Sequence, residues 1–173
     1  MAEDNWSIIA PIPSCVLMFK KELPLLFSDD NDVQIVKDAF YDPFEFLIML
    51  KKDNKLNTNF LESLGKIAYH APCHQRVQNI GPKTKDVLEL IPDTNITLIE
   101  RCSGHNGTYA VKKEYHEVSM KICKPIINTI DGSDFDHYIS DCPMAGHQID
   151  NGIKNIEIRS ESPFTLLRKA YGI

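Results

Sequence analysis

The segment "KIAYHAPCHQR", Lys66 to Arg76, decides the fold, because a short apolar run ends in it and a cysteine follows almost at once. A short apolar run closed by polar or proline residues is typical of a buried β-strand. Two later segments have the same arrangement, "ITLIERCSGH" from Ile96 and "HYISDCPMAGH" from His137. The sequence therefore predicts three short strands, each of which ends shortly before a cysteine.

Helical patterns separate and surround these strands. Asp42 and Pro43 form a typical helix start, with the carboxylate as N-cap and the proline in the first turn. A helix over 82–90 follows the first strand, and a long helix over 107–130, which Pro125 kinks or ends, follows the second. The remaining predicted elements are strands over 7–10 and 155–159 and helices over 15–27, 31–40, 144–152 and 162–172.

Strands that alternate with helices are typical of an α/β fold with a mostly parallel sheet and helices on both faces. Because the crossovers are right-handed, the strands point the same way and their carboxyl ends share one edge, where such folds build their sites. Cys123 falls inside a predicted helix, where we expect it only to pack. The other cysteines each follow a predicted strand, so we expect them to converge on that edge: Cys15, Cys73, Cys102 and Cys142.

The composition is that of an ordinary globular protein with one domain, or at most one and a half. The chain has 173 residues and a net charge of −5, and its lysines and arginines form no stripe or tail, which argues against nucleic-acid binding. No apolar run approaches the length of a transmembrane segment, and the acidic first residues lack the apolar core of a secretory signal. We therefore expect a cytoplasmic protein, in which an odd number of widely spaced cysteines does not form a disulfide framework.

Thiolates that meet at helix N-termini suit a soft metal ion or an iron–sulfur cluster. Gly104 and Gly107, which follow Cys102, would let the backbone approach such a cluster closely. Nitrogen ligands lie near the cysteines in the sequence: His70, His74, His105 and His147. The spacing alone leaves two other interpretations open, since the thiols could be structural, or Cys102 could be a nucleophile with a histidine as its base.

Taken together, the segments "AYHAPCHQR", "IERCSGHNGTYAVKKEY", "SDCPMAGHQI" and "FTLLRKAYG" resemble the cysteine-rich CCG domain of heterodisulfide reductases. The resemblance is closer still to the corresponding half of the iron–sulfur subunit of anaerobic glycerol-3-phosphate dehydrogenase, and it runs from about Trp6 to Ile173. In that family a PCH cysteine, a CCG cysteine pair and a CxxC pair follow successive strands and together hold a [4Fe-4S]-type cluster. The resemblance implies that Cys73, Cys102 and Cys142 are thiolate ligands.

The sequence departs from the family pattern at two thiolates. Ser103 follows Cys102, so CSG replaces CCG, and Ala145 ends CPMA where the family has CxxC. A noncubane cluster with five cysteine ligands is therefore not expected. The remaining set implies a cubane cluster held by three cysteines and a histidine or external ligand, or a zinc ion held by three cysteines and a histidine. His105 is the first choice for the fourth ligand and His74 is the second.

The resemblance also implies a domain organisation. The segment "APIPSCVLMFKKELPLL" resembles the join in two-domain members, so residues 1–15 are expected to end a missing first cysteine-rich domain and residues 16–173 to form a CCG-like domain. Cys15 would be the last cysteine of the first motif and a further metal ligand. Because the strand over 7–10 would otherwise stand at an incomplete sheet edge, we expect a partner that carries the missing half, or a homo-oligomer.

The expected function is that of an iron–sulfur electron-transfer subunit of a heterodisulfide-reductase-like oxidoreductase, which need not catalyse a reaction itself. A variant subgroup with CSGH and CP(M/L)AG motifs resembles this chain and is associated with rubrerythrin-type peroxide defence, which implies a rubrerythrin-type or flavoprotein redox partner. An alternative is a scaffold of the same fold that binds zinc or no metal and pairs with the missing half. A third interpretation is a cysteine-nucleophile enzyme.

Overall fold

The computed structural model describes residues 2–4, 6–105, 107–155 and 157–173. The chain divides into two compact units: the first contains the residues up to 57 together with 74–87, and the second contains 58–73 and 88–173. The predicted boundary between residues 15 and 16 separates the end of a missing first domain from the CCG-like domain, and it stays a prediction. In the part of the chain that the structure describes, no helix is both long and apolar enough to cross a membrane.

The first unit contains short helices and a parallel pair of short strands, β1 (Ile8–Ile9) and β2 (Phe40–Tyr41). Its helices are α1 (Pro13–Leu17), α2 (Leu23–Leu26), α3 (Asn31–Ala39) and α4 (Pro43–Lys52), with a π-helical segment at Met18–Glu22 between the first two. The sequence predicted a helix through residue 40. Phe40 instead has the extended angles φ −94° and ψ 130°, which end α3 and begin β2.

The predicted start of α4 is confirmed. The Asp42 carboxylate accepts hydrogen bonds from the backbone N–H groups of Phe44 and Glu45, and the Glu45 side chain accepts the N–H of Asp42. This capping box satisfies N–H groups that the first turn of a helix leaves without partners. Phe40 and Phe44 are buried, and the Phe40 ring stacks on Phe19 with the ring centroids 4.7 Å apart. Phe40 and Phe44 therefore belong to the buried interior of this unit.

The second unit is organised around a parallel sheet with the strand order β4-β3-β5-β6. Its strands are β3 (Gly65–His70), β4 (Thr94–Ile99), β5 (His137–Ser140) and β6 (Ser160–Glu161). The three strands predicted before cysteines are thereby confirmed. The prediction of a strand over 155–159 was wrong, because β6 begins only at Ser160 and the Asn155 side chain accepts the N–H of Glu157 in a turn before it. Residue 156 of that prediction lies outside the described residues.

The helices after β3 are α5 (Cys73–Arg76) and α6 (Lys83–Leu88), and those after β4 are α7 (Thr108–Val111), α8 (His116–Asp131), α9 (Pro143–Asp150) and α10 (Pro163–Ala170). The prediction of one helix over 107–130 was wrong. Lys112 has extended backbone angles, φ −94° and ψ 123°, and a 3₁₀ turn at Lys113–Tyr115 separates α7 from α8. Pro125 lies inside α8 without ending it.

Helices cover both faces of the four-stranded sheet, as the sequence predicted. Successive side chains of a strand point to opposite faces. Ile67 and Tyr69 of β3 lie in one buried cluster, whereas Ala68 lies in the other. The first cluster includes Leu166 and Ala170 of α10. The second cluster is filled from α8 and α9 by Cys123, Ile126, Ile127, Ile130 and Ile149.

Glu161 of β6 joins β5 to α10. Its carboxylate lies 2.7 Å from His137 Nδ1 and 2.8 Å from Lys169 Nζ. Burial raises the pKa of this carboxyl, but the hydrogen bonds and charges of Lys169 and His137 outweigh burial, so the pKa lies below its ordinary value. A carboxyl whose pKa is lowered on folding stabilises the fold above its unfolded pKa, and this contribution is lost as the pH falls through the folded pKa.

Glu161→Gln is therefore expected to be less stable than the wild type above about pH 5 and equally stable below the lowered pKa. Urea unfolding at a series of pH values measures this difference. Asp134→Asn is the matched control, because the Asp134 side chain is fully exposed and lies 3.7 Å from Lys66 Nζ, so its difference from the wild type should stay near zero throughout. A difference for Glu161→Gln that does not change with pH would contradict the prediction.

Candidate functional site

The strands before Cys73, Cys102 and Cys142 end in register. His70, the last residue of β3, is the register partner of Ile99 at the end of β4 and of Ser140 at the end of β5. The cysteines come three residues after β3, three after β4 and two after β5. Because the strands are parallel and adjacent, the three cysteine segments leave the sheet at the same edge. The predicted convergence is confirmed for these three segments.

Each of the three cysteines has a different local setting. Cys73 is the first residue of α5 and is exposed. Cys102 lies in an exposed loop, where its sulfur accepts the N–H of Gly104 at 3.4 Å. Cys142 immediately precedes α9 and is half-buried, and its own N–H donates to Ser140 Oγ at 3.3 Å. The three cysteines therefore stand at a helix start, in a loop and at a helix N-cap.

His70 connects the loops that carry Cys102 and Cys142. Its ring is 1% exposed, Nε2 lies 3.0 Å from the carbonyl oxygen of Arg101, and Nδ1 lies 3.0 Å from Ser140 Oγ. Since a carbonyl only accepts, Nε2 carries the proton, and Nδ1 accepts the Ser140 hydroxyl proton. Ser140 Oγ in turn accepts the N–H of Cys142. One buried ring at the end of β3 thus positions the loops after β4 and β5.

From the sequence, His70 was only one of several candidate nitrogen ligands, and its bridging role was missed. His70 is the last residue of one predicted strand and Ser140 the last but one of another, which was the available signal. A second contact also links β3 to the segment before Cys142, because the buried Tyr69 hydroxyl donates to the Asp141 carboxylate. Asp141 therefore holds the segment before Cys142 against β3.

The motif cysteines are the donor type of a thiolate-ligated centre, but their side chains are not assembled as one. Among the described residues, no three His, Cys, Asp or Glu side chains lie close enough together to hold a metal ion. Ser103, which stands where the family has a second cysteine, is 6% exposed, and its hydroxyl accepts the N–H of His105 at 3.4 Å. Met144 is exposed and Ala145 is buried in α9. The two replaced positions therefore provide no substitute thiolate.

Cys15 and His74 belong to the first unit. β1, the strand before Cys15, pairs with β2 in a separate sheet, so the prediction of a single sheet for all four strands was wrong. Cys15 and His74 line one cavity of about 310 Å³ together with Glu22. Gln78 fixes the surroundings of this cavity, because its amide donates to the carbonyl oxygens of Pro13 and His74 at 3.2 Å each. The structure therefore places these two predicted ligands at the same cavity in the first unit.

Gly104 has a packing role beside Cys102. Its φ of 74° is in the left-handed region, and a Cβ at this position would overlap the carbonyl oxygen of Ser119 in α8. The Ser119 hydroxyl donates to the Gly104 carbonyl at 2.9 Å and accepts a hydrogen bond from Gln148 of α9 at 2.6 Å. Gly107, by contrast, has nothing within 4 Å of its Cβ position. The Cys102 loop is therefore pressed against α8 at Gly104.

Gly104→Ala is expected to lower the free energy of unfolding by about 2 kcal/mol, because alanine is strained at this φ and its methyl group displaces α8 from the loop. Urea unfolding monitored by circular dichroism measures the change. Gly107→Ala is the control, since its φ of 40° is also positive but no atom opposes the added methyl. Equal losses in the two variants would show that the contact with Ser119 contributes nothing.

Cys123 is a core residue, as the sequence predicted. Its side chain is fully buried on α8 among the isoleucines of the second cluster. Burial, with a smaller contribution from the nearby Cys102, raises the pKa of the Cys123 thiol to about 12. A thiol with this pKa stays protonated at neutral pH and is a poor ligand or nucleophile.

The segment that carries the three motif cysteines is similar to known proteins. Residues 67–150 match the family described as "Cysteine-rich domain". Two curated relatives are the C subunits of anaerobic glycerol-3-phosphate dehydrogenase from Escherichia coli strain K12 and from Escherichia coli O157:H7. Each is 29% identical over 167 residues, which are 94% of this chain and 40% of the relative. The chain thus spans about two fifths of the length of the curated relatives it matches.

Proposed function

We propose that the chain is an iron–sulfur electron-transfer domain of an oxidoreductase. Cys73, Cys102 and Cys142 are the proposed thiolate ligands. The observation that carries the proposal is the in-register ending of β3, β4 and β5, since it delivers three cysteine segments to one edge of a rigid sheet. A cluster bound there would supply one-electron redox chemistry, whose potential depends on its ligands and on hydrogen bonds to sulfur.

The fourth ligand comes from outside the three motif cysteines. His105 is the first candidate, because it is three residues beyond Cys102 and half-buried in the same loop. A ligand from a partner protein is the second, and the relatives support it because they are named as subunits of an enzyme. We propose that such a partner is a redox protein, either a flavoprotein or a rubrerythrin-type protein, or a chain that carries a second cysteine-rich domain.

A zinc-binding or metal-free scaffold is the second candidate. Its metal-free form is favoured by one observation, that the described residues contain no assembled group of three metal-ligating side chains. The two candidates differ in what the protein binds. An iron–sulfur domain takes up iron and acid-labile sulfide, whereas a Cys₃His zinc site takes up zinc alone.

Anaerobic purification and reconstitution test the proposal. Iron, sulfide and zinc are quantified on one sample, and its visible spectrum is measured before and after dithionite reduction. The proposal expects iron and sulfide in near-equal amounts, with broad thiolate-to-iron absorption that bleaches on reduction. Stoichiometric zinc without sulfide, or no metal after reconstitution, would overturn it in favour of the scaffold.

A further inference from the structure

A groove runs along the solvent side of α8 in the second unit, with a volume of about 960 Å³. One wall is α8, which contributes residues at helical spacing from its first turn to its last, and the opposite wall is the segment after α9. Met120 and Ile127 of α8 contribute apolar side chains to the groove, and Lys154 lies on the opposite wall. An α-helix of 16 residues is about 24 Å long, so the groove is long enough to take a helix of a partner.

The floor of the groove is apolar and its walls are polar. Ile127 is 7% exposed and Met120 is partly buried against the second core cluster. Gly152 lies opposite them, and a Cβ there would overlap the Ile127 side chain, so the missing side chain lets the two walls approach. Methionine at such a floor adapts to different apolar partners because its side chain is flexible.

Lysines outnumber carboxylates among the charged residues that line the groove, with Lys121, Lys124 and Lys154 against Glu117 and Asp131. None of Lys121, Lys124 and Lys154 forms an ion pair with a residue that the structure describes. Glu117 and Asp131 offset them in part, and the Asp131 carboxylate accepts the backbone N–H groups of Lys154 and Asn155 at 3.1 to 3.5 Å. The whole chain has a net charge of −5, so these lysines form a local exception.

We propose that this groove, in which lysines outnumber carboxylates, binds an amphipathic, acidic helix of a partner protein. The apolar floor would take the leucine or similar side chains that repeat every three or four residues on such a helix, and the three lysines would face its carboxylates. Charge complementarity of this kind accelerates association and selects the partner. The proposal does not depend on a cluster at the sheet edge, because all its residues belong to α8 and to the segment after α9.

The test uses the whole chain and three synthetic peptides of 16 residues, with binding measured by fluorescence anisotropy. The first peptide has leucine on one helical face and glutamate beside it, the second has lysine in place of each glutamate, and the third has the first composition in a scrambled order. The proposal expects the acidic amphipathic peptide to bind at least tenfold more tightly than either of the others, and to bind more weakly at higher salt.

Lys121→Glu combined with Lys124→Glu is expected to weaken this binding about tenfold or more, because it reverses the charge of the α8 wall. Lys51→Glu combined with Lys52→Glu, at the exposed end of α4, is the matched control with the same change in net charge and should bind like the wild type. Circular dichroism confirms that both variants fold. Absence of peptide binding, equal binding of all three peptides, or equal losses in the two double variants would each overturn the proposal.

Discussion

Cys102→Ser is expected to abolish the visible absorption of the reconstituted protein and to remove its iron and sulfide. Cys102 is the exposed thiol of the loop after β4, and its sulfur already accepts a backbone N–H from Gly104. The donor set contains only three motif cysteines, so the loss of one leaves too few thiolates to hold a cluster. The same loss is expected for Cys73→Ser and Cys142→Ser, with metal and sulfide quantification as the measurement.

Cys123→Ala is the matched control for this prediction. It also removes a thiol from the second unit, but that thiol is buried on α8 and has a pKa raised to about 12. The variant should keep its iron and sulfide and lose only about 1 kcal/mol of stability from the smaller side chain. If Cys102→Ser kept the full cluster content of the wild type, Cys102 would not be a ligand.

His70→Leu is expected to lower the free energy of unfolding by about 3 kcal/mol, because it leaves the buried Ser140 hydroxyl and the Arg101 carbonyl without their ring partner. It should also release the loops after β4 and β5. Hydrogen exchange at residues 101–104 and 141–145 measures this release, and urea unfolding measures the loss of stability. Faster exchange in both loops is the result that distinguishes a bridge from a simple core residue.

His70→Gln is the conservative variant for this prediction. Glutamine has donor and acceptor groups at its amide, so it can partly replace both contacts of the ring. It should restore part of the stability and most of the protection from exchange. A loss of stability in His70→Leu with unchanged exchange in both loops would mean that the ring only fills space. If His70→Leu also loses cluster content and His70→Gln keeps it, the bridge helps to place the cysteine ligands.

Much of the cysteine edge could be predicted from sequence, because its signals are local. A short apolar run predicts a strand. A cysteine directly after the run must lie at the carboxyl end of that strand, because the chain connects the two. The runs before Cys73, Cys102 and Cys142 follow this rule, and all three strands are found in one parallel sheet. The position of Cys123 inside a helix likewise predicted its burial correctly.

Other features of the fold depend on contacts that the chain makes only after folding. The strand before Cys15 was expected in the main sheet, but strand pairing is chosen by long-range packing, and β1 pairs with β2 instead. The helix over 107–130 has a continuous helical pattern in sequence, yet Lys112 takes an extended conformation. Backbone propensity is a weak preference that tertiary contacts override.

By itself the sequence determined the fold class, the positions of the strands that precede the three motif cysteines and the family that the central segment matches. Those properties follow from side-chain periodicity and from the motifs, both of which are written in neighbouring residues. Only the tertiary structure decided that His70 bridges Arg101 and Ser140 and that Gly104 lies against Ser119. Each of these contacts joins residues from different elements, and their geometry exists only once the sheet and α8 have packed.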